Sequence, residues 1–137
     1  MLHILLAEDN VGDVLLIQQA LEEHHIDHEL HIVRDGAEAL SFIRHMGEPG
    51  GNPCPDLVLM DLNLPKVEGP QILREFRKHP ACGETPVIIV SSSDAPKDRA
   101  ALTPLGISRY FKKPSDYDAF LKLGAVVREV AAGLPVT

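Results

Sequence analysis

Four apolar stretches of this sequence each lead into a residue able to bind charge or to react. Ile4-Leu5-Leu6-Ala7 runs into Glu8 and Asp9, and Leu57-Val58-Leu59-Met60 runs into Asp61. Val87-Ile88-Ile89-Val90 ends at Ser91, and Ile107 to Phe111 is followed two residues later by Lys113. Brought together, these are three carboxylates, one hydroxyl and one ammonium. Three carboxylates a few ångströms apart repel one another until raised pKa values or a bound cation relieve them. A donor set of oxygens with room for water suits a hard divalent ion, Mg²⁺ most naturally. The same ion, with Lys113 and Ser91, can hold the oxygens of a phosphoryl group. Transfer of that group needs mainly positioning and charge stabilisation, with a carboxylate as nucleophile. Taken singly, each residue has an ordinary reading. An Asp after a strand is a turn or cap residue, Glu8-Asp9 suits a helix N-terminus, Ser91-Ser92-Ser93 is a turn, and Lys112-Lys113 is a solvated pair. The chemical reading requires all of them at one edge of one sheet.

The intervening sequence predicts such a sheet. Leu2 to Ala7, interrupted only by His3, is the near-continuous apolar run of a strand covered on both faces. Asn10 suits the cap of a helix running from Val11 to about Glu23, with Val11, Val14, Ile17 or Gln18, and Leu21 at helical spacing. Glu29 to Val33 alternates as an edge strand does. Asp35-Gly36 turns into a helix over about 37–46, and Gly47 to Pro55 is a Gly- and Pro-rich loop. Asp56 to Asp61 is a third strand. Gly69 to Lys78 is a helix with Ile72, Leu73 and Phe76 inward, and Val87 to Val90 is the fourth strand. A helix over about 95–105 is bounded by Pro96, which fits only a first turn, and Pro104, which should end it. Ile107 to Phe111 is the fifth strand, and a single last helix is predicted over Tyr117 to Ala132. Five strands interleaved with five helices make a doubly wound parallel α/β sheet of flavodoxin-like type, strand order 2-1-3-4-5. Its strand ends are where ligand-binding groups collect. With no linker and no internal repeat, residues 1–137 are expected to form one domain without an output domain, so a signal would leave through its own surface.

Composition narrows the setting. The length, 137 residues, suits one domain, and 45% of the residues are apolar. No run reaches the roughly 18–20 apolar residues of a membrane span, and Met1 to Ala7 lacks a basic leader. Twenty acidic against thirteen basic residues, a formal charge of −7, argue against nucleic-acid binding. A cytoplasmic protein with no membrane partner is expected. Cys54 and Cys82, in separate Pro/Gly-containing loops without metal-ligand spacing, are predicted to be reduced thiols. Seven histidines, four of them at His24, His25, His28 and His31, are read as solvated surface residues rather than metal or phosphotransfer groups.

These residues resemble those of the receiver domains of bacterial response regulators. The likeness runs from Leu2 to about Glu129. It rests on Ile4 to Asn10, Asp56 to Asp61, Leu64-Pro65 with Gly69, Pro86 to Ser91, the thirty-residue step from Asp61 to Ser91, and Lys113-Pro114. The resemblance implies that Asp61 accepts a phosphoryl group from a histidine kinase. Glu8, Asp9, Asp61 and the backbone carbonyl of Asn63 would hold Mg²⁺, Ser91 would bind a phosphoryl oxygen, and Lys113 would pair with the group. Tyr110 matches the family's aromatic switch, which swings inward as the Ser91 hydroxyl moves toward phosphate. The Lys113-Pro114 bond is often cis in the family. Glu8 stands where many members have Asp, and Ser91 where Thr is commoner; both keep the chemistry. Asn63 and Ser93 occupy the places where the family tunes phosphoryl lifetime. A narrower likeness, in Asp61 to Lys66, the Gly47–Pro55 loop and Asn10-Val-Gly-Asp13, is to stand-alone regulators paired with bacterial phytochrome kinases. It implies a red/far-red photoreceptor kinase as input.

The last helix carries one apolar stripe, Tyr117, Phe120, Gly124, Val127, Ala131 and Leu134, and a second, Leu123, Val126 and Val130. One sheet face should not need both in full; the two readings are a broad core contact and a homodimer interface including this helix, and the second is the expectation carried forward. Rival readings are weaker. A phosphatase working through an aspartyl phosphate wants an acid two residues after its nucleophile, where Asn63 stands. A flavin or nucleotide module wants a Gly-rich phosphate loop after the first strand, where Glu8-Asp9 would repel phosphate. A degenerate receiver serving only as a binding module would not need the complete acidic set. The chain is therefore expected to phosphorylate and dephosphorylate itself rather than to turn over a substrate.

Overall fold

The near-continuous apolar runs become the centre of a five-stranded parallel sheet. The computed structural model describes residues 1–93 and 95–134. The strands are β1 (Leu2–Ala7), β2 (His28–Val33), β3 (Leu57–Met60), β4 (Val87–Ser91) and β5 (Arg109–Lys112), in spatial order β2-β1-β3-β4-β5. Between them run α1 (Val11–Glu23), α2 (Gly36–Arg44), α3 (Gly69–Arg77) and α4 (Pro96–Leu102), the last continuing as a 3₁₀ turn over Thr103–Leu105. Two further helices, α5 (Tyr117–Leu121) and α6 (Leu123–Ala132), close the described fold.

Alternation of side chains across each strand divides the core in two. Leu5, Ala7, Val58, Met60, Val87 and Ile89 face Ile72, Leu73 and Phe76 of α3, with Ala39 and Ile43 of α2. Ile4, Leu6, Leu57, Leu59, Ile88 and Val90 face Ile17 and Leu21 of α1, with Phe120, Leu123 and Val127. β1, β3 and β4 thus bury both faces from Ile4 onward, whereas the outer strands β2 and β5 are half-buried or exposed over most of their length. Asn10 caps α1 by accepting from the Asp13 amide at 3.0 Å, and Asp35 caps α2 through the Glu38 amide at 2.8 Å. Gly36 allows the loop after β3 to lie on the start of α2. A Cβ there would meet the Val67 nitrogen at 2.7 Å, and the Gly36 amide donates to the Pro65 carbonyl at 2.9 Å.

Two ties hold helix ends. Gly124 lets α6 lie directly against α1, where a Cβ would overlap the His24 ring and the Ala20 carbonyl. Arg77, at the end of α3, donates to the carbonyls of Gly83 (2.8 Å), Thr85 (2.6 Å), Leu105 (2.9 Å) and Gly106 (3.3 Å). It therefore fastens the loop after α3 to the end of the α4 segment.

The structure corrects several expectations. Cys54 and Cys82 are not thiols but a disulfide, with Cα atoms 5.4 Å apart. The loops after α2 and α3 lie side by side, which puts the two residues inside the usual bridging distance; their separation in sequence concealed this. The single last helix is two, because the Lys122 amide turns to the Ala119 carbonyl, three residues back, and tightens the chain there. Of its two stripes, Phe120, Leu123, Gly124 and Val127 are buried and Tyr117 is exposed, with Val126 and Val130 half-buried on the core. The peptide before Pro114 is trans, the cheaper form even before proline.

Candidate functional site

Glu8, Asp9, Asp61, Ser91 and Lys113 meet at the carboxyl edge of the sheet, because parallel strands all deliver their ends to the same side. One carboxylate oxygen from each of Glu8, Asp9 and Asp61 lies within 4.8 Å of the other two. The β1–β3 pairing sets Ala7 against Met60 and so brings the following acids level. Asp61 is fixed by its own amide, which donates to the Ala7 carbonyl at 3.0 Å, and by the Asn63 amide, which donates to its Oδ1 at 3.0 Å. Glu8 Oε2 accepts from the Asp9 amide at 3.0 Å. Glu8 and Asp61 are buried, while Asp9 is open to solvent.

The Lys113 ammonium sits among the acids. Its Nζ donates to Glu8 Oε1 (2.5 Å), Asp13 Oδ2 (2.8 Å) and Asp61 Oδ2 (2.9 Å). The Lys113 amide donates to the Ser91 carbonyl at 2.8 Å, which carries the β4–β5 pairing to the site. Ser91 is fully buried, and its Oγ accepts from the Ser93 amide at 3.2 Å. The Tyr110 hydroxyl donates to the Ser93 carbonyl at 2.5 Å, and the Arg99 guanidinium lies 4.1 Å from the centre of its ring. The half-buried tyrosine is thus hooked to the loop that leaves Ser91.

Burial and charge pull the acids apart. Burial, reinforced by the nearby charge of Asp61, pushes the Glu8 carboxyl up to about 7, although Lys113 opposes this. Burial acts on Asp61 in the same sense, but the Asn63 amide and Lys113 outweigh it and hold Asp61 below its ordinary value. Burial alone would depress the Lys113 ammonium; hydrogen bonds to Asp13, Glu8 and Asp61 reverse this and raise it. At neutral pH, Asp61 is therefore an ionised carboxylate beside a firmly protonated amine. The donor set is all oxygen with an exposed flank at Asp9, which suits a hard cation such as Mg²⁺.

Of the residues predicted for this site, Glu8, Asp9, Asp61 and Lys113 are brought together, and Ser91 ends the adjoining strand with its hydroxyl accepting from the Ser93 amide. Asn63 lies beside Asp61 through its amide, and Tyr110 reaches the Ser93 carbonyl. Asp13, a further partner of Lys113, lies outside the residues that the sequence pattern singles out for this site. It stands four residues after Asp9, on the first turn of α1, so that its carboxylate returns to the strand edge. That spacing was the available signal.

A parallel sheet in this order, with acids, hydroxyl and ammonium on one edge, defines a class, and the chain belongs to it: it is a member of the response regulator receiver domain family, whose pattern matches residues 4–123. It is 38% identical over 120 residues to the response regulator Rcp1 of Synechocystis sp., covering 88% of this chain and 82% of that protein. The crystal structure of the Mn²⁺-bound form of Rcp1 matches with a TM-score of 0.86 at 33% identity, over 100% of this chain and 99% of that one. The phosphorylated cyanobacterial phytochrome response regulator RcpA matches equally, with a TM-score of 0.86 and 33% identity over 98% and 96% of the two chains. The bacteriophytochrome response regulator RtBRR gives 0.77 at 31% identity, over 100% of this chain and 81% of its own. Two-component signalling is accordingly the function of this receiver.

Proposed function

We propose that the chain accepts a phosphoryl group on Asp61 from a sensor histidine kinase and passes the signal through the surface around Tyr110 and the last helices. The observation that supports this most is the placing of an ionised, buried Asp61 carboxylate 2.9 Å from the Lys113 ammonium and beside two further acids. In the transfer, an Asp61 oxygen bonds to phosphorus as the P–N bond to the kinase histidine breaks. The Ser91 hydroxyl and Lys113 take up the phosphoryl oxygens. Glu8, Asp9, Asp61 and the Asn63 carbonyl would hold Mg²⁺, which supplies charge neutralisation when bound. Loss of the group by hydrolysis at the same site resets the protein without a separate catalyst.

Labelling with a small phosphodonor and Mg²⁺ tests this. A hydroxylamine-labile acyl phosphate should form on the wild type and be absent from Asp61→Asn. Equal labelling of the variant would overturn the assignment.

The kinase is proposed to be a bacteriophytochrome. This rests on the likeness to regulators whose names carry that link, RcpA and RtBRR. Phosphotransfer rates from purified phytochrome kinases, set against kinases with other sensor domains, decide it; no preference would count against the pairing. A homodimer through the last helices is proposed on the exposed Tyr117 with half-buried Val126 and Val130. A concentration series in analytical ultracentrifugation tests it, and a monomer at the highest concentration would refute it. No described helix is long and apolar enough to cross a membrane. A cytoplasmic location is proposed from the kinase partnership.

A further inference from the structure

At the opposite end of β1 from the acidic site, three side chains of metal-ligating type share one face. Parallel pairing sets His3 of β1 directly against Glu29 of β2, and His31 follows two residues along on the same face. His3 Nδ1 lies 3.1 Å from His31 Nε2 and 3.5 Å from Glu29 Oε2. One donor atom from each residue falls within 4.8 Å of the other two. Tetrahedral zinc with bonds of about 2.0–2.2 Å separates its nitrogen and oxygen donors by roughly 3.2–3.6 Å. The two closest separations here match those edges to about a tenth of an ångström.

The donors are carried by backbone rather than by mobile loops. Asp56 clamps the His3 peptide group from both sides, its Oδ2 accepting from the His3 amide at 2.8 Å and its own amide donating to the His3 carbonyl at 2.7 Å. His31 lies against the Phe42 ring, with centroids 5.8 Å apart, which gives the cluster an apolar wall. His3 and Glu29 keep 32% and 52% of their side-chain surface exposed, leaving a path from solvent and room for a water ligand. Two imidazoles and one carboxylate are the ligand set of zinc in open sites, and nitrogen donors select against Mg²⁺ and Ca²⁺.

We infer that His3, Glu29 and His31 form a site for a first-row transition metal ion, Zn²⁺, that clips the edge strand β2 to β1, separate from the acidic pocket. The test uses the untagged full chain, oxidised at Cys54–Cys82 so that no thiol competes. Zn²⁺ is titrated calorimetrically in excess Mg²⁺, and Co²⁺ binding is followed by visible absorption. One ion per chain is expected, with the intense absorption of four-coordinate Co²⁺ and shifts of the His3 and His31 ring resonances. His31→Gln and Glu29→Gln should each weaken binding by at least about tenfold, since losing a ligand costs no less than losing the partner of one. Asp9→Asn should leave it unchanged. Glu29 is exposed enough that its variant remains informative if His31→Gln does not fold. Unchanged affinity in Glu29→Gln, loss of binding in Asp9→Asn, or absence of the four-coordinate Co²⁺ spectrum would each overturn the site. The pair would then be a histidine–histidine hydrogen bond with a neighbouring carboxylate.

Discussion

Opening the Cys54–Cys82 bridge should destabilise the fold far more than its two surface loops suggest. The bridge joins positions 28 residues apart and fastens the segment leading into β3 to the turn after α3. Closing a loop of that length removes about 12 cal/mol/K of chain entropy from the unfolded state, or about 3–4 kcal/mol at 25 °C. Against a typical stability of about 5–15 kcal/mol this is a large share. With a urea slope of about 2 kcal/mol/M, the midpoint should fall by roughly 2 M on reduction. The slope itself should rise, because the reduced unfolded chain is more expanded. The assay is urea denaturation followed by circular dichroism, with and without a phosphine reductant, beside a thiol titration of the unfolded protein. The expected count is no thiols before reduction and two after it. A Cys54→Ser/Cys82→Ser double variant should show no response to reductant. Two titratable thiols in untreated protein, or midpoints that coincide despite complete reduction, would refute the reasoning.

Three other perturbations probe the framework and the site. Because Glu8 titrates at about 7 in the fold against an ordinary 4.5, the stability it contributes is full below pH 4.5 and is lost as pH rises through 7. The loss is on the order of 3 kcal/mol in the absence of divalent ions. Denaturation at pH 5 and pH 8 in chelator should show this fall in the wild type but not in Glu8→Gln, and parallel profiles would contradict it. Gly124→Ala should cost about 1–3 kcal/mol by forcing α6 away from His24 and Ala20. Gly133→Ala, with 3.5 Å to its nearest neighbour, should be near neutral in the same melt. Tyr110→Phe removes the hydroxyl donor to the Ser93 carbonyl and should cost about 1 kcal/mol. Phosphorylation of Asp61 should be retained in that variant, and its loss would show that the tyrosine acts on the chemistry itself.

The parts of the fold legible in sequence were those written in local pattern. Leu2 to Ala7, Asp56 to Asp61 and Val87 to Val90 read as buried strands from their near-continuous apolar runs. Once they are parallel, their ends must meet, which is why Glu8, Asp9, Asp61, Ser91 and Lys113 could be placed together. The features that escaped depend on how loops and helix faces lie in three dimensions. Cys54 and Cys82 become neighbours only when two irregular loops pack side by side. Asp13 reaches Lys113 only at the rotation α1 adopts about its own axis. The break at Lys122 shortens the backbone hydrogen bonds of Lys122 and Ala125 to three-residue steps without disturbing the apolar periodicity on either side. His31 reads as a solvated residue in the sequence because its partner, His3, lies 28 residues away on another strand.

The four carbonyls gripped by Arg77 give α4 unequal ends. The 3₁₀ turn that finishes the α4 segment is fastened to α3 through Leu105 and Gly106. Its opening turn follows the loop from Ser91, where Tyr110 holds the Ser93 carbonyl and the Ser93 hydroxyl meets Asp98. A seven-residue helix is about 10 Å long. A rod of that length, held at its far end through Arg77 and at its near end only through the Ser93 loop, would turn about the Arg77 end if that loop shifted. Were phosphorylation at Asp61, as proposed, to shift that loop, the exposed face of α4 would move furthest at its first turn and least near Arg77. A partner that reads this receiver by the position of α4 gains most by gripping its first turn.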